Sequence, residues 1–291
     1  MDQGLIKLEN NILKDPEKND QLTSEGYCIF PFLQETDIKE LVNYYFSSQP
    51  EDPQHFYSST HSADFKFRKT SSEFIKKIVS ERITDFLVDY KLLGGAFVIK
   101  PPHGKGLLPP HQDWNIVDEE KTRSYNLWIP LVNVTVENGA VHVLKGSHNR
   151  IPTYRGPGID SIFKNIEKHV WLHLKPLIMG AGEALLYDHA LLHASPVNQS
   201  NEIRLGIVCG VIPLNSNMQL HFHTGSIIAT YEADESFFLK KNPSDGPQDL
   251  CKLEKEFSIP ECLSVEKFNS IFLDQPRPKS GFFKRIFAGK K

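Results

Sequence analysis

The sequence predicts a mainly β fold, a jelly roll with α-helices packed beside it, and two observations carry that expectation. Between residues 96 and 213, eight short runs rich in β-branched and aromatic residues follow one another, separated by Pro, Gly and Asn. Ahead of them stand two segments of helical periodicity, with no alternation of strand and helix that would point to a parallel sheet. Eight antiparallel strands close most naturally as a jelly roll.

Taken in order, residues 1 to 22 read as a polar lead-in, and "EGYCIFPFL" as a short strand running into a turn. Thr36 then caps a helix with Asp37 in its first turn and Ile38, Leu41, Val42 and Tyr45 on one face. A second helix spans "SEFIKKIVSERITDFLVDYKLLGG", with Gly94-Gly95 as its stop. The eight strand runs are "AFVIKPP", "LLPPHQD", "SYNLWIPL", "AVHVLKG", "VWLHLKP", "EALLYD", "LLHASPV" and "RLGIVCGVIP". Beyond residue 214 lie one more possible strand, "SIIATYEA", and a helix near 261 to 273. The expected organisation is one domain over 1–291: helical padding at about 22–95, a core at about 96–213 and a C-terminal extension, 214–291.

Charged residues make up 24% and apolar ones 40% of the 291 residues, and the net charge is -3, which suits a globular protein and offers no nucleic-acid surface. No apolar run approaches the roughly 20 residues that cross a bilayer. The polar N-terminus lacks the features of a secretory signal. Four scattered cysteines (Cys28, Cys209, Cys251, Cys262) form no C-x-x-C pair. Together these point to a cytoplasmic protein, a monomer or homodimer without integral membrane association, whose partner is a small molecule. The basic, Phe-rich tail "KSGFFKRIFAGKK" reads as a packed helix or a frayed end.

The chemistry centres on "PPHQDW". In a strand, residues i and i+2 share a face, so His111 and Asp113 converge while Gln112 points away. A third ligand, His193, stands on the seventh run, and in a jelly roll the second and seventh strands meet across the barrel mouth. Two imidazoles and one carboxylate on one face of an octahedron form the facial triad of non-heme Fe(II) oxygenases. His189 and His193 also have the spacing of two zinc ligands on a helix, but no glutamate lies between them and Gly180, Gly182 and Pro196 bracket a hairpin. His189 is then a turn residue. A keto-acid such as 2-oxoglutarate would chelate the iron and need its far carboxylate neutralised. Arg204, at the head of an otherwise apolar strand, suits that task, with Ser195 as a hydroxyl donor on the face of His193. A surface ion pair with Glu202 is the alternative use of Arg204.

With these residues in place, the chain resembles the phytanoyl-CoA dioxygenase family of Fe(II)/2-oxoglutarate oxygenases, which includes ectoine hydroxylases. The resemblance runs from about "LTSEGYCIFPFL" to Pro213 and rests on "HQD", "LWIPL", "NGAVHVLKGSH" and "LLHASPVNQSNEIR" in that order. It implies a cupin-like double-stranded β-helix core, with His111, Asp113 and His193 as iron ligands, Arg204 as the 2-oxoglutarate anchor and Ser195 as helper. Trp128 and Asn126 would line the co-substrate pocket. Halogenating relatives have Gly or Ala where Asp113 stands, so the resemblance implies hydroxylation, or a related oxidation, using O2 and releasing succinate and CO2.

Trp114 and Asn115 after the H-x-D, His103 and Lys105 before it, and Phe97 on the first run are the candidates for the substrate wall. "HFH" (His221, Phe222, His223) could line the mouth. A Lys/His-bordered entrance implies a small, polar or carboxylate-bearing metabolite. Two other readings stay open: a jelly-roll metalloprotein with non-oxidative zinc or manganese chemistry, in which Arg204 is dispensable, and a non-catalytic family member acting as a binding module.

Overall fold

A computed structural model describes residues 11–50, 52–104, 106–242 and 245–274. Lys105 and the basic tail lie outside the described residues.

The lead-in contains a helix, α1 (Pro16–Glu25). Asp15 caps it by accepting from the backbone N–H groups of Glu17 and Lys18, and Gly26 closes it at φ 85°. The cap signal Asp-Pro was present in the sequence, but the helix buries only Asn19 and Leu22, too few positions to reveal a period. Strand β1 (Tyr27–Pro31) and helix α2 (Glu35–Ser48) follow. Gln34 rather than Thr36 begins α2: the Asp37 carboxylate reaches back to the Gln34 N–H at 2.9 Å and also takes a two-pronged contact from Arg82 at 3.0 Å.

After a two-residue strand, β2 (Tyr57–Ser58), helix α3 (Phe65–Ile83) starts earlier and stops earlier than the periodicity suggested. Gly94-Gly95 does not end it. Both glycines lie inside β3 (Tyr90–Lys100), where a Cβ on Gly94 would stand 2.4 Å from Ser72 Oγ and one on Gly95 2.3 Å from Ile75 Cγ2. The pair lets α3 press directly on the backbone of the strand.

The next strands are β4 (Leu108–His111), β5 (Tyr125–Pro130) and β6 (His142–Val143). They are followed by β7 (Lys175–Pro176), β8 (Glu183–Asp188), β9 (His193–Ser195) and β10 (Arg204–Pro213). The run "VWLHLKP" departs from expectation: Glu167–Trp171 is a short helix, α4, and only its last two residues pair as a strand. Val170 and Leu174 are buried against Phe268 and Phe272, so the segment's apolar residues face a helical contact at helical spacing.

The strands form a six-stranded sheet in the order β1-β8-β5-β10-β3-β2 and a four-stranded sheet in the order β4-β9-β6-β7. All pairings are antiparallel, and β3 to β10 alternate between the two sheets except for the consecutive pair β6 and β7, which is the double-stranded β-helix. The larger sheet buries one face under α2 and α3 through Leu41, Tyr45, Ile75, Val79, Phe97 and Ile207. Its other face, with Trp128, Leu185 and Tyr187, looks into the barrel.

The C-terminal segment adds a separate sheet, β11 (Gln219–Thr224), β12 (Ile227–Glu232) and β13 (Lys252–Ser258), of which the sequence suggested only β12. It also holds α5 (Ser236–Lys240) and α6 (Val265–Phe268), the latter running into one π-turn at Asn269–Leu273. Among the described residues no helix is long and apolar enough to cross a membrane.

Candidate metal centre

His111 ends β4 and His193 begins β9, and the two are direct partners in the antiparallel ladder, their rings 4.3 Å apart. Asp113 follows two positions on, and its N–H donates to the His189 carbonyl at 2.8 Å, which carries the pairing past the end of the strand. Gln112 points the other way and donates to the Ala190 carbonyl at 2.6 Å. One ligand atom from each of His111, Asp113 and His193 falls within a 4.8 Å cluster. The Asp113 carboxylate lies 3.5 Å from His111 Nε2 and 3.8 Å from His193 Nε2.

Both imidazoles are oriented through their far nitrogens. His111 Nδ1 donates to the Pro109 carbonyl at 2.7 Å and His193 Nδ1 to the Leu191 carbonyl at 2.9 Å. A carbonyl only accepts, so the proton sits on Nδ1 and the Nε2 lone pair faces the cluster. Burial and the neighbouring His111 push His193 down to about 4, which keeps it neutral at physiological pH. Burial acts on His111 in the same sense, but the Asp113 carboxylate outweighs it and raises the imidazole above its ordinary value. Asp113 is held well below the carboxylate range, against burial, by His193 and His111. Two neutral nitrogens and one anionic oxygen with a shared vertex fit a divalent, non-thiophilic ion such as Fe(II).

Asn126 donates to Asp113 Oδ2 at 2.9 Å and to the Tyr187 hydroxyl at 3.2 Å, so it orients the carboxylate. Tyr187 packs edge-on to His193 with ring centres 5.1 Å apart, and burial together with the Asp113 charge raises its phenol well above the usual range. Tyr187 escaped notice in the sequence because "EALLYD" reads as a uniformly buried run.

The triad opens into a cavity of about 550 Å³ whose wall includes Asn126, Trp128, Tyr187, His189, Ser195 and Arg204. Arg204 is buried, its guanidinium 5.4 Å from the centre of the Trp128 ring. It donates to the Gly139 carbonyl and, at 3.2 Å, to Ser195 Oγ, which itself donates to Gly139 at 2.8 Å. Burial lowers Arg204 to about 9, and among the described residues no carboxylate pairs with it. Glu202 is exposed and does not pair with it. Lys100, which burial and the Arg204 charge lower to about 6, ties strand ends together, its Nζ donating to the carbonyls of Gly106 (2.7 Å), Ser195 (2.9 Å) and Pro196.

The candidates for the substrate wall separate. Trp114 lines the cavity. Phe97 is fully buried against α2, its ring 5.2 Å from Tyr45, because beyond the register shift of β3 Phe97 and Ile99 face the helices while Ala96 and Val98 face the cavity. Asn115 is a buried strut that accepts from the Arg155 N–H at 2.6 Å. His103 sits in a left-handed turn at φ 48° and bonds Asn201 at 2.8 Å, away from the cavity. His221 and Phe222 are buried inside β11, and His223 is exposed. His189, read as a turn residue, is buried with Nδ1 2.7 Å from Ser124 Oγ and lines the cavity.

The family model for phytanoyl-CoA dioxygenase (PhyH) matches residues 2–206. The chain belongs to the phytanoyl-CoA dioxygenase family. It is therefore a 2-oxoglutarate-dependent non-heme oxygenase whose cofactors are Fe(II), 2-oxoglutarate and O2, and the His-Asp-His cluster is of the type that such an iron requires. A mouse (Mus musculus) relative, phytanoyl-CoA dioxygenase domain-containing protein 1, is 26% identical over 209 residues, 67% of this chain and 69% of that protein. The dioxygenase andF of Emericella variicolor is 27% identical over 143 residues, 46% of each chain, so the match spans less than half of that relative. Among solved structures, the non-heme α-ketoglutarate-dependent carbocyclase SnoK from nogalamycin biosynthesis superposes with a TM-score of 0.55 at 13% identity, over 70% of this chain and 86% of that one. That likeness is one of fold.

Proposed function

We propose that the protein hydroxylates an unactivated C–H bond of a small molecule in the cavity, with 2-oxoglutarate converted to succinate and CO2. The observation that carries this reading is Arg204: a buried guanidinium on the cavity wall with no acidic partner among the described residues. An uncompensated buried charge is costly, so the site calls for an anion of the right reach. A dicarboxylate that chelates metal at one end and meets Arg204 at the other satisfies both ends of the cavity.

In this reading His111, Asp113 and His193 hold the iron, which when bound supplies the oxidising power of the reaction. Asn126 and Tyr187 keep the Asp113 carboxylate turned toward it. Arg204 receives the far carboxylate, with Ser195 and the Gly139 carbonyl fixing its guanidinium in place, and Trp128 forms the wall beside it. The presence of Asp113 leaves one ligand position fewer than a halide-binding site needs, which supports hydroxylation. The whole chain then acts as one oxygenase unit. The four cysteines are free thiols, two of them exposed, which supports a reducing, cytoplasmic setting.

Anaerobic addition of Fe(II) and 2-oxoglutarate is expected to give a weak visible charge-transfer band. A folded protein that gives no band would remove this reading and leave a zinc or manganese site or a non-catalytic binding module.

A further inference from the structure

The apolar half of the cavity wall includes one element that the family match, which ends at residue 206, does not reach. Helix α5 supplies Phe237, Phe238 and Leu239, and Leu93, Trp114 and Ile116 pack with Phe237 and Phe238 in one apolar cluster. The rings of Trp114 and Phe238 lie nearly parallel, at 23°, with centres 6.4 Å apart.

This wall is held rigidly. At one end of α5, Glu235 takes both carboxylate contacts from Lys76 of α3, at 2.8 and 3.1 Å. At the other end, Arg68 of α3 is buried and donates to the Lys241 carbonyl at 2.8 Å and to Asn242 Oδ1 at 2.5 Å. Five residues are too few for an independently stable helix, so these clamps and the burial of Phe237 keep α5 in position.

Charge is the second observation. Of the ionic side chains on the wall, Asp113 belongs to the metal cluster and Arg204 to the co-substrate end. Glu235 is neutralised by Lys76, and Lys241 by Asp249. His61, a titratable group on the wall outside the metal cluster, has its imidazole lowered by enclosure and by the nearby Arg68 charge, and Ser58, Thr60 and Ser72 add only neutral hydroxyls. Among the described residues, no uncommitted cation faces this half of the cavity. A carboxylate, phosphate or coenzyme A head drawn in beside Phe238 and Trp114 would lose its water and gain no partner.

We infer that the substrate is an uncharged, largely apolar small molecule, selected by α5 together with Trp114, and not an acid or a coenzyme A thioester. The inference rests on the oxygenase reading for the word substrate, but the binding preference stands on the wall alone. It differs from the polar or carboxylate-bearing metabolite expected from the loop residues, of which His103 bonds Asn201 and Lys105 lies outside the described residues. A cavity of about 550 Å³ lies within the range of roughly 300–1,000 Å³ typical of small-molecule sites.

The test is calorimetric titration of the Ni(II)- and 2-oxoglutarate-loaded full chain with matched probes: 1-decanol against decanoate and decanoyl-coenzyme A, and 1-adamantanemethanol against 1-adamantanecarboxylate. At least one alcohol is expected to bind about tenfold or more tighter than its acid, a gap of about 1.4 kcal/mol. Phe238→Ala should weaken the alcohol, and Phe238→Lys should reverse the order within a pair. Acids or the thioester binding as tightly as the alcohols, neither alcohol binding, or an order unchanged by Phe238→Lys would each overturn the inference. A separate titration with 2-oxoglutarate alone reports on the oxygenase reading, so the two can fail independently.

Discussion

Arg155 donates from Nε to the backbone carbonyl of Asp113 at 2.6 Å, across 42 positions of sequence. Its guanidinium also meets Glu119 at 2.6 Å, and its peptide N–H is taken by Asn115. Thr153, which accepts from the same guanidinium, donates in turn to Gln112 at 3.0 Å. The segment from Gln112 to Asn115 is thus gripped at each residue but Trp114, whose ring stacks on Phe238 in the cavity wall.

Replacing Arg155 with Met should loosen the carboxylate ligand without touching it. Loss of a partner that orients a ligand commonly lowers metal affinity about 10–100-fold. Fe(II) titration followed by intrinsic fluorescence would read this, and excess Fe(II) should restore succinate release. A loss of activity that excess metal does not repair would show that Arg155 has another role.

Arg204→Met removes a buried charge that lacks an acidic partner among the described residues. The variant without co-substrate is expected to melt at a temperature equal to or above that of the parent. The parent, in contrast, should gain about 2.7 kcal/mol at 2-oxoglutarate concentrations about 100 times Kd, and the variant should gain nothing. Thermal shifts with and without 2-oxoglutarate separate the two effects.

Metal affinity should fall with pH. Asp113 raises the His111 imidazole above its ordinary value of 6.5, so in the metal-free protein that proton stabilises the fold below pH 6.5 and the gain is lost as pH rises past the folded value. A metal must displace the same proton, so its affinity runs the opposite way and weakens about tenfold per unit once pH drops below that value. His193, at about 4, adds a second proton only in stronger acid. Calorimetry in buffers of different ionisation enthalpy would count the protons; none released near pH 6 would refute the assignment of His111.

His193→Ala and Asp113→Ala should each abolish succinate production, while leaving Asn126 and Tyr187 bonded to one another in the second case. Equilibrium dialysis for iron distinguishes a lost ligand from a lost fold.

Much of this was legible in the chain. Seven of the eight strand runs are strands, because half-buried sheets demand β-branched and aromatic residues at turn-bounded spacing, whereas "VWLHLKP" mixes the apolar content of a strand with a helical contact surface. His111 and His193 fall opposite one another as the alternation and strand order required. What stayed hidden depends on contacts between distant segments. Phe97 and Val98 look equivalent in sequence, and only the side on which α2 packs sends Phe97 to the core. Asn126 reads as a co-substrate neighbour of Trp128, but its amide turns to Asp113. Helix α5 is shorter than two turns, so no period announces it.

The bare backbone at Gly94 and Gly95 lines the cavity on one side and abuts α3 on the other. The same helix carries Lys76 and Arg68, which anchor the two ends of α5. Helix α3 is thus a common abutment for two parts of the cavity wall, the Gly94-Gly95 backbone and α5. A side chain added at Gly95 would push on Ile75 in the helix that also seats α5, so a residue without a side chain governs how closely α3 can sit against the strand.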